Sequence, residues 1–162
     1  MEIRTQDGQV MFESEFRKLY PNTSFPQNIN AETLNDFGAT VILEGPQATP
    51  TNHYQYSMRD GVEQIDGQWF TKYSLGPVFT DTVVDGLATT AEMQETAYKT
   101  TKDAEQAKSV RASRDDKLKA TDWRFRSDMN PSQEWKDYCQ ALRDLPSATG
   151  FPWDMTWPEE PK

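Results

Sequence analysis

The stretch RASRDDKLKATDWRFRSDMN, residues 111–130, decides the architecture of the second half of this chain. A charged run of helix formers stops at Thr121-Asp122-Trp123, and three more tryptophans follow before residue 162. Upstream, no proline or glycine interrupts residues 88–119, where Ala, Glu, Gln and Lys dominate. Glu95 with Lys99 and Asp115 with Lys119 have the favourable i,i+4 order. The pattern predicts one helix of roughly 30 residues, about 45 Å long. Its 3-4 stripe is Met93, Ala97, Thr100, Ala104, Ala107, Arg111, Arg114 and Leu118. That seam is mostly alanine, so it predicts a spacer or packing arm rather than a strong coiled coil.

Downstream, Thr121-Asp122 reads as the turn that ends this helix, with Trp123 pinning the corner. Asn130-Pro131 reads as the cap and first position of a further helix. Trp135, Tyr138, Cys139, Leu142 and Leu145 form its apolar face, and Pro146 ends it. Residues 151–162, FPWDMTWPEEPK, are too broken by proline for a helix or central strand. Trp153 and Trp157 are large enough to anchor such a segment.

The first part of the chain is punctuated by turns. Gln6-Asp7-Gly8-Gln9 separates short strands around Ile3 and Val10-Met11-Phe12. A helix over 13–20 stops at Pro21, and a second runs from an Asn30 cap to Gly38. Residues 39–43 read as a strand. Residues 61–65 and 68–75 flank Asp66-Gly67, a type I′ hairpin signal. Residues 52–58, including His53, are expected as a third strand beside that hairpin. The predicted fold class is α+β: a small N-terminal antiparallel sheet with short helices over 1–87, a long connecting helix over 88–119, and a C-terminal helix with a Trp/Pro-rich tail over 120–162.

Composition narrows the function classes. The net charge is −9, and no segment is a basic patch, which disfavours nucleic-acid binding. Apolar residues make up 35 % and aromatics 12 %, so the core must be modest and ring-rich. One cysteine, Cys139, precludes an internal disulfide and suits a reducing compartment. No apolar run approaches membrane-spanning length, and the first residues lack a signal pattern.

No catalytic constellation emerges. His53 is the only histidine and has no triad-like neighbours. Cys139 sits on an apolar helix face, as a small buried hydrophobe would. There is no CxxC, no HExxH, no calcium loop and no phosphate-cradling glycine run. The expectation is a protein that is not an enzyme, with no cofactor and no metal. The remaining signal is aromatic. The tryptophans build a local mini-core, or present a contact patch for another protein, or do both.

Three motifs then carry a resemblance: Arg114-Asp115, Leu118 and Thr121-Asp122-Trp123; Trp135, Tyr138 and Ala141-Leu142-Arg143-Asp144; and Phe151-Pro152 with Trp157-Pro158. In this order they resemble the tail fibre assembly chaperones and small tail accessory proteins of bacteriophages. Thr23-Ser24-Phe25-Pro26, Phe37-Gly38 and Asp66-Gly67-Gln68-Trp69 add a weaker likeness. Cys139 departs from the pattern, which carries arginine there; the departure implies the loss of a polar surface contact. The resemblance implies a chaperone that binds a trimeric tail fibre protein and assists its folding, trimerisation or attachment. Its partner-binding residues would be Trp123, Trp135, Tyr138, Arg143, Trp153 and Trp157. Other tail or baseplate proteins are further implied partners. The alternative it implies is a permanent structural component of the tail or baseplate. The implied location is the host cytoplasm during assembly, or the virion tail if the protein is retained.

Overall fold

The computed structural model describes all residues, Met1–Lys162. The chain is α+β and divides into two compact units, Met1–Val78 and Phe79–Lys162. No helix is long and apolar enough to cross a membrane.

The first unit holds β1 (Glu2–Thr5), β2 (Val10–Phe12), α1 (Glu13–Leu19), α2 (Ala31–Asp36), β3 (Ala39–Leu43), β4 (Tyr56–Ile65) and β5 (Gln68–Gly76). Its sheet has the order β2-β1-β3-β5-β4. The sheet is mixed, where an antiparallel one was expected: β3 and β5 run parallel at Ile42↔Trp69 and Leu43↔Phe70. The reason is topological. Residues 44–55 carry the chain past β3 to the far edge, so β4 becomes the edge strand. The tight Asp66-Gly67 turn then folds β5 back between them, in the direction of β3. Asp66 and Gly67 take φ of 48° and 81°, as a type I′ turn requires.

The separate strand expected over 52–58 does not form. His53 lies in a turn, and Tyr56 opens a single strand that runs to Ile65. The hairpin is longer than its sequence signal: Tyr56–Arg59 also pair with Tyr73–Gly76, beyond a register slip between Arg59 and Val62. Gly61, at φ +82°, takes up that bulge.

Strand alternation sorts the two faces. Ile3, Met11, Ala39 and Val41 face α1 and α2, where they meet Phe16, Ile29 and Leu34. Tyr20, Phe25 and Phe37 surround Phe16 with ring centroids 4.7–6.3 Å apart. The core is therefore built of rings, as the sparse aliphatics demand. Asn30 caps α2, its Oδ1 accepting from the Thr33 amide at 2.8 Å. Gly38, at φ +65°, ends that segment.

The opposite face carries Glu2, Ile42, Trp69, Tyr73 and Arg59. Arg59 donates to both oxygens of Glu2 at 2.6 Å, joining β1 to β4 across the two strands between them. Such a span is possible only because the sheet curls. Arg4 stacks over Trp69 at 3.9 Å on the same face.

The second unit begins with a hairpin, β6 (Thr82–Val84) and β7 (Leu87–Thr89). Its Asp85-Gly86 turn repeats the geometry of the first, with φ of 52° and 78°. Then come α3 (Ala91–Thr121), a 3-10 turn (Asp122–Phe125), α4 (Gln133–Asp144) and a second 3-10 turn (Leu145–Ser147). Thr90 Oγ1 accepts from the Met93 amide and Asp81 Oδ1 from the Ala91 amide, so two side chains satisfy the first turn of α3.

Two helix details differ from expectation. The predicted seam of α3 fails in its first half, where Met93, Ala97, Thr100 and Ala104 are exposed. The buried positions are Ala107, Val110 and Thr121. Alanines alone do not define a face; in the first half of α3 the ring contacts fall on Tyr98 and Asp103, off the alanine stripe, and the buried alanine and valine lie in the second half. The last helix starts two residues later than the Asn130-Pro131 signal, at Gln133 with Ser132 in the cap position. Ser132 makes no side-chain capping bond, and from this start Trp135, Tyr138 and Cys139 are buried together.

The Glu2–Arg59 clasp makes a pH prediction. The Arg59 hydrogen bond holds the Glu2 carboxyl below its ordinary value. Its contribution is therefore present above the unfolded carboxyl's pKa and is lost as pH falls through the lower folded value. Glu2→Gln is expected to lower the unfolding free energy in urea at pH 7 by at most about 1 kcal/mol, since the pair is partly exposed. Urea titrations from pH 7 to 2 should show the two proteins converging at the acid end.

Candidate protein-contact site

The functional candidates lie where α3 meets α4 and the tail. Thr121 closes α3: its Oγ1 donates to the Leu118 carbonyl at 2.7 Å and sits 3.3 Å from Cys139 Sγ. Both residues are buried. Thr121, rather than Asp122, supplies the terminating side-chain bond. The chain tightens into a 3-10 turn instead of reversing at once. Cys139 is internal, so the position where the resembling proteins carry arginine is not a surface contact here.

Trp135, Tyr138, Cys139 and Leu142 form the core of this region, with Leu118 and Trp157 packed against it. Trp135 and Tyr138 meet edge-on at 5.8 Å. Burial raises the Tyr138 hydroxyl pKa, and the charge of Glu160 in the tail adds to the shift.

Trp123 does not pack on this core directly. Arg124 intervenes, with its guanidinium 3.7 Å from the Trp135 ring and 4.4 Å from the Trp123 ring. Arg124 is partly buried and Trp135 buried, and cation–π stacking gains strength as water is excluded from it. The corner is thereby fixed while Trp123 stays 45 % exposed. Phe125 and Met129, close behind, are 41 % and 44 % exposed.

The tail is held by polar groups on α3. Trp153 Nε1 donates to Asp103 Oδ1 at 2.7 Å, a charge-assisted bond. Arg111 lies over the Phe151 ring at 5.3 Å and Lys117 over the Trp157 ring at 5.7 Å. The Trp153 and Asp154 amides both donate to the Gly150 carbonyl, at 2.9 and 2.7 Å. Gly150 takes φ +84°, and a Cβ there would lie 2.7 Å from the Asp154 carbonyl oxygen. Between the end of α4 and the tail runs an open, largely apolar depression of about 490 Å³, walled by Ala141, Leu145, Ala148, Trp157 and Pro158.

The six candidate contact residues thus separate. Trp135, Tyr138 and Trp157 share one cluster, the first two inside it. Trp153 is docked on α3, Trp123 stands at the exposed corner, and Arg143 is exposed on α4. Sequence reasoning did not single out Arg124, Phe125, Met129, Asp103 or Val110. The alternation Trp-Arg-Phe-Arg at 123–126 was the available signal for the first two. No group of three or more His, Cys, Asp or Glu side chains is arranged to hold a metal ion.

Residues 107–162 match the family described as phage tail assembly chaperone protein. No curated protein and no solved structure matches the chain. The matched segment carries the motifs that gave the resemblance. It also coincides with the packed half of α3, the corner, α4 and the tail. The match supports a role in phage tail assembly.

The docking of the tail is testable. Gly150→Ala imposes a strained φ and a backbone clash, and Asp103→Ala removes the indole's acceptor. Both variants should red-shift tryptophan emission as Trp153 gains water. Gly150→Ala should also cost about 1–3 kcal/mol in urea unfolding.

Proposed function

We propose that this chain is a tail fibre assembly chaperone. It binds the tail fibre polypeptide through the corner formed by Trp123, Arg124, Phe125 and Met129, and it performs no catalysis. One observation carries the reading. The segment similar to tail assembly chaperones uses its other large rings to close its own core, yet leaves three large apolar side chains exposed within seven residues.

In a chain this poor in apolar residues, that exposure has a cost in solubility that a contact would offset. Trp and Arg are the residue types that dominate binding hot spots. Arg124 holds the corner in place before contact, which lowers the ordering cost of binding. Fibre trimers built of non-local β structure register slowly and expose sticky strand edges meanwhile. A soluble acidic binder acting in the host cell during assembly would cover such surfaces until trimerisation.

Co-expression with the phage's own tail fibre protein tests this. Wild type should raise the yield of soluble trimeric fibre. A Trp123→Ala/Phe125→Ala variant, with its core intact by circular dichroism, should lose most of that gain. Equal fibre yields with and without the chain would refute the proposal. Stoichiometric presence in purified virions would instead mark a permanent tail component.

A further inference from the structure

Residues 82–89 form a β-hairpin that belongs to neither the corner nor the tail. No third strand joins it: β6 and β7 pair only with each other. Val83, Val84 and Leu87 are 71 %, 66 % and 73 % exposed, although they are the large apolar members of the two strands. The base is fixed. Gln94 Nε2 donates to the Thr80 carbonyl and to Thr82 Oγ1, and Phe79 packs on Tyr98 at 5.6 Å. An isolated two-stranded hairpin is barely stable in water. Proteins protect such edges with Lys, Pro or bulges. Thr82-Val83-Val84 and Leu87-Ala88-Thr89 contain none of these.

We infer that the β6–β7 hairpin is a strand-addition site for an extended segment of a different polypeptide, apolar at alternate positions and flanked by lysine or arginine. Open backbone edges match only an extended chain. A second copy of this protein fits poorly on two counts. Three side chains of this size would bury on the order of 300 Å² per copy. A symmetric pair would then reach ~600 Å², short of the ~1,000 Å² of a stable interface.

Charge is the second count. Asp81, Asp85, Glu92 and Glu95 flank the hairpin, and the next cation along the chain is Lys99. Asp81 is engaged by the Ala91 amide and Glu95 by Lys99, but Asp85 and Glu92 still leave the site negative. Two copies would repel, whereas a strand with basic ends would be attracted. The inference rests on the proposed function only in naming the fibre protein as the source of that strand.

The probe is the labelled peptide acetyl-Lys-Thr-Val-Thr-Val-Thr-Lys-amide, titrated against the full chain by fluorescence anisotropy, with amide NMR shifts as the map. Binding is expected to shift resonances of 82–89. It should weaken at least tenfold with glutamate replacing the terminal lysines, and vanish when alternate peptide nitrogens are methylated. The exposed triple variant Val83→Ser/Val84→Ser/Leu87→Ser should fold normally and lose at least tenfold in affinity. Failure of the lysine peptide to shift 82–89, equal binding by the methylated peptide, or a dimer in sedimentation that the triple variant abolishes would each overturn the inference.

Co-expression separates it from the fibre reading. If wild type rescues fibre yield and the triple variant does so equally, the hairpin assignment falls while the chaperone reading stands. If wild type rescues nothing, the chaperone reading falls, and the peptide titration still decides the hairpin.

Discussion

The packing of α4 against the second half of α3 is the contact on which Phe79–Lys162 depends. Helix α3 brings little to it: the partly buried Leu118 and the threonine at its end. The rings come from Trp135 and Tyr138 on α4 and from Trp157 in the tail. Small side chains on one helix let large ones on the other approach its backbone, so a thin seam still yields a dense core. Thr121 and Cys139 meet within it, so the end of α3 and the inner face of α4 are fixed together. Without that contact α3 is a solvated helix whose length alone holds it together. The corner at Trp123 would then have no fixed position.

Polar groups extend this core where apolar ones run out. Asp103, Arg111 and Lys117 all project from α3 toward rings of the tail. Each ring carries a polar or quadrupolar handle, so a helix surface that looks solvated can still grip it. The same logic holds Trp123, through Arg124 rather than through direct ring contact. An indole held this way is anchored on one side and remains available on the other. That is a different state from the buried Trp135, although both belong to one motif.

This explains what was and was not legible in the residues. Short-range signals were read correctly: the Asp66-Gly67 turn, the Asn30 cap, the apolar stripe of α4 and the uninterrupted run of α3. They depend on neighbours within a few positions. The parallel pairing of β3 with β5 depends on where a loop of a dozen residues delivers the chain, which no local pattern encodes. The buried face of α3 depends on a tail some fifty positions away. Asp85-Gly86 was as strong a hairpin signal as Asp66-Gly67, yet its strands are only three residues each and lack the alternation that marked the first. In the candidate site the tryptophans were visible, but their division into buried, docked and exposed rings is a tertiary outcome.

The contrast between the two sheets bears on how exposure should be understood in this molecule. The five-stranded sheet manages its edges. β2 is three residues long, and β4 carries a bulge together with Arg59, Asp60 and Glu63. Lys72 approaches Asp60 at 3.7 Å, adding charge to that edge. The chain therefore has the means to protect a strand. β6 and β7 share the shortness of β2 but carry no bulge, lysine or arginine, and both edges and three apolar side chains face water. The second unit repeats the choice at Trp123, Phe125 and Met129. A sequence with 35 % apolar residues has few to leave outside. Exposed apolar side chains occur in both units, but at the hairpin and at the corner they are concentrated within a few residues, which is better explained by contact with another chain than by a shortage of polar residues to cover them.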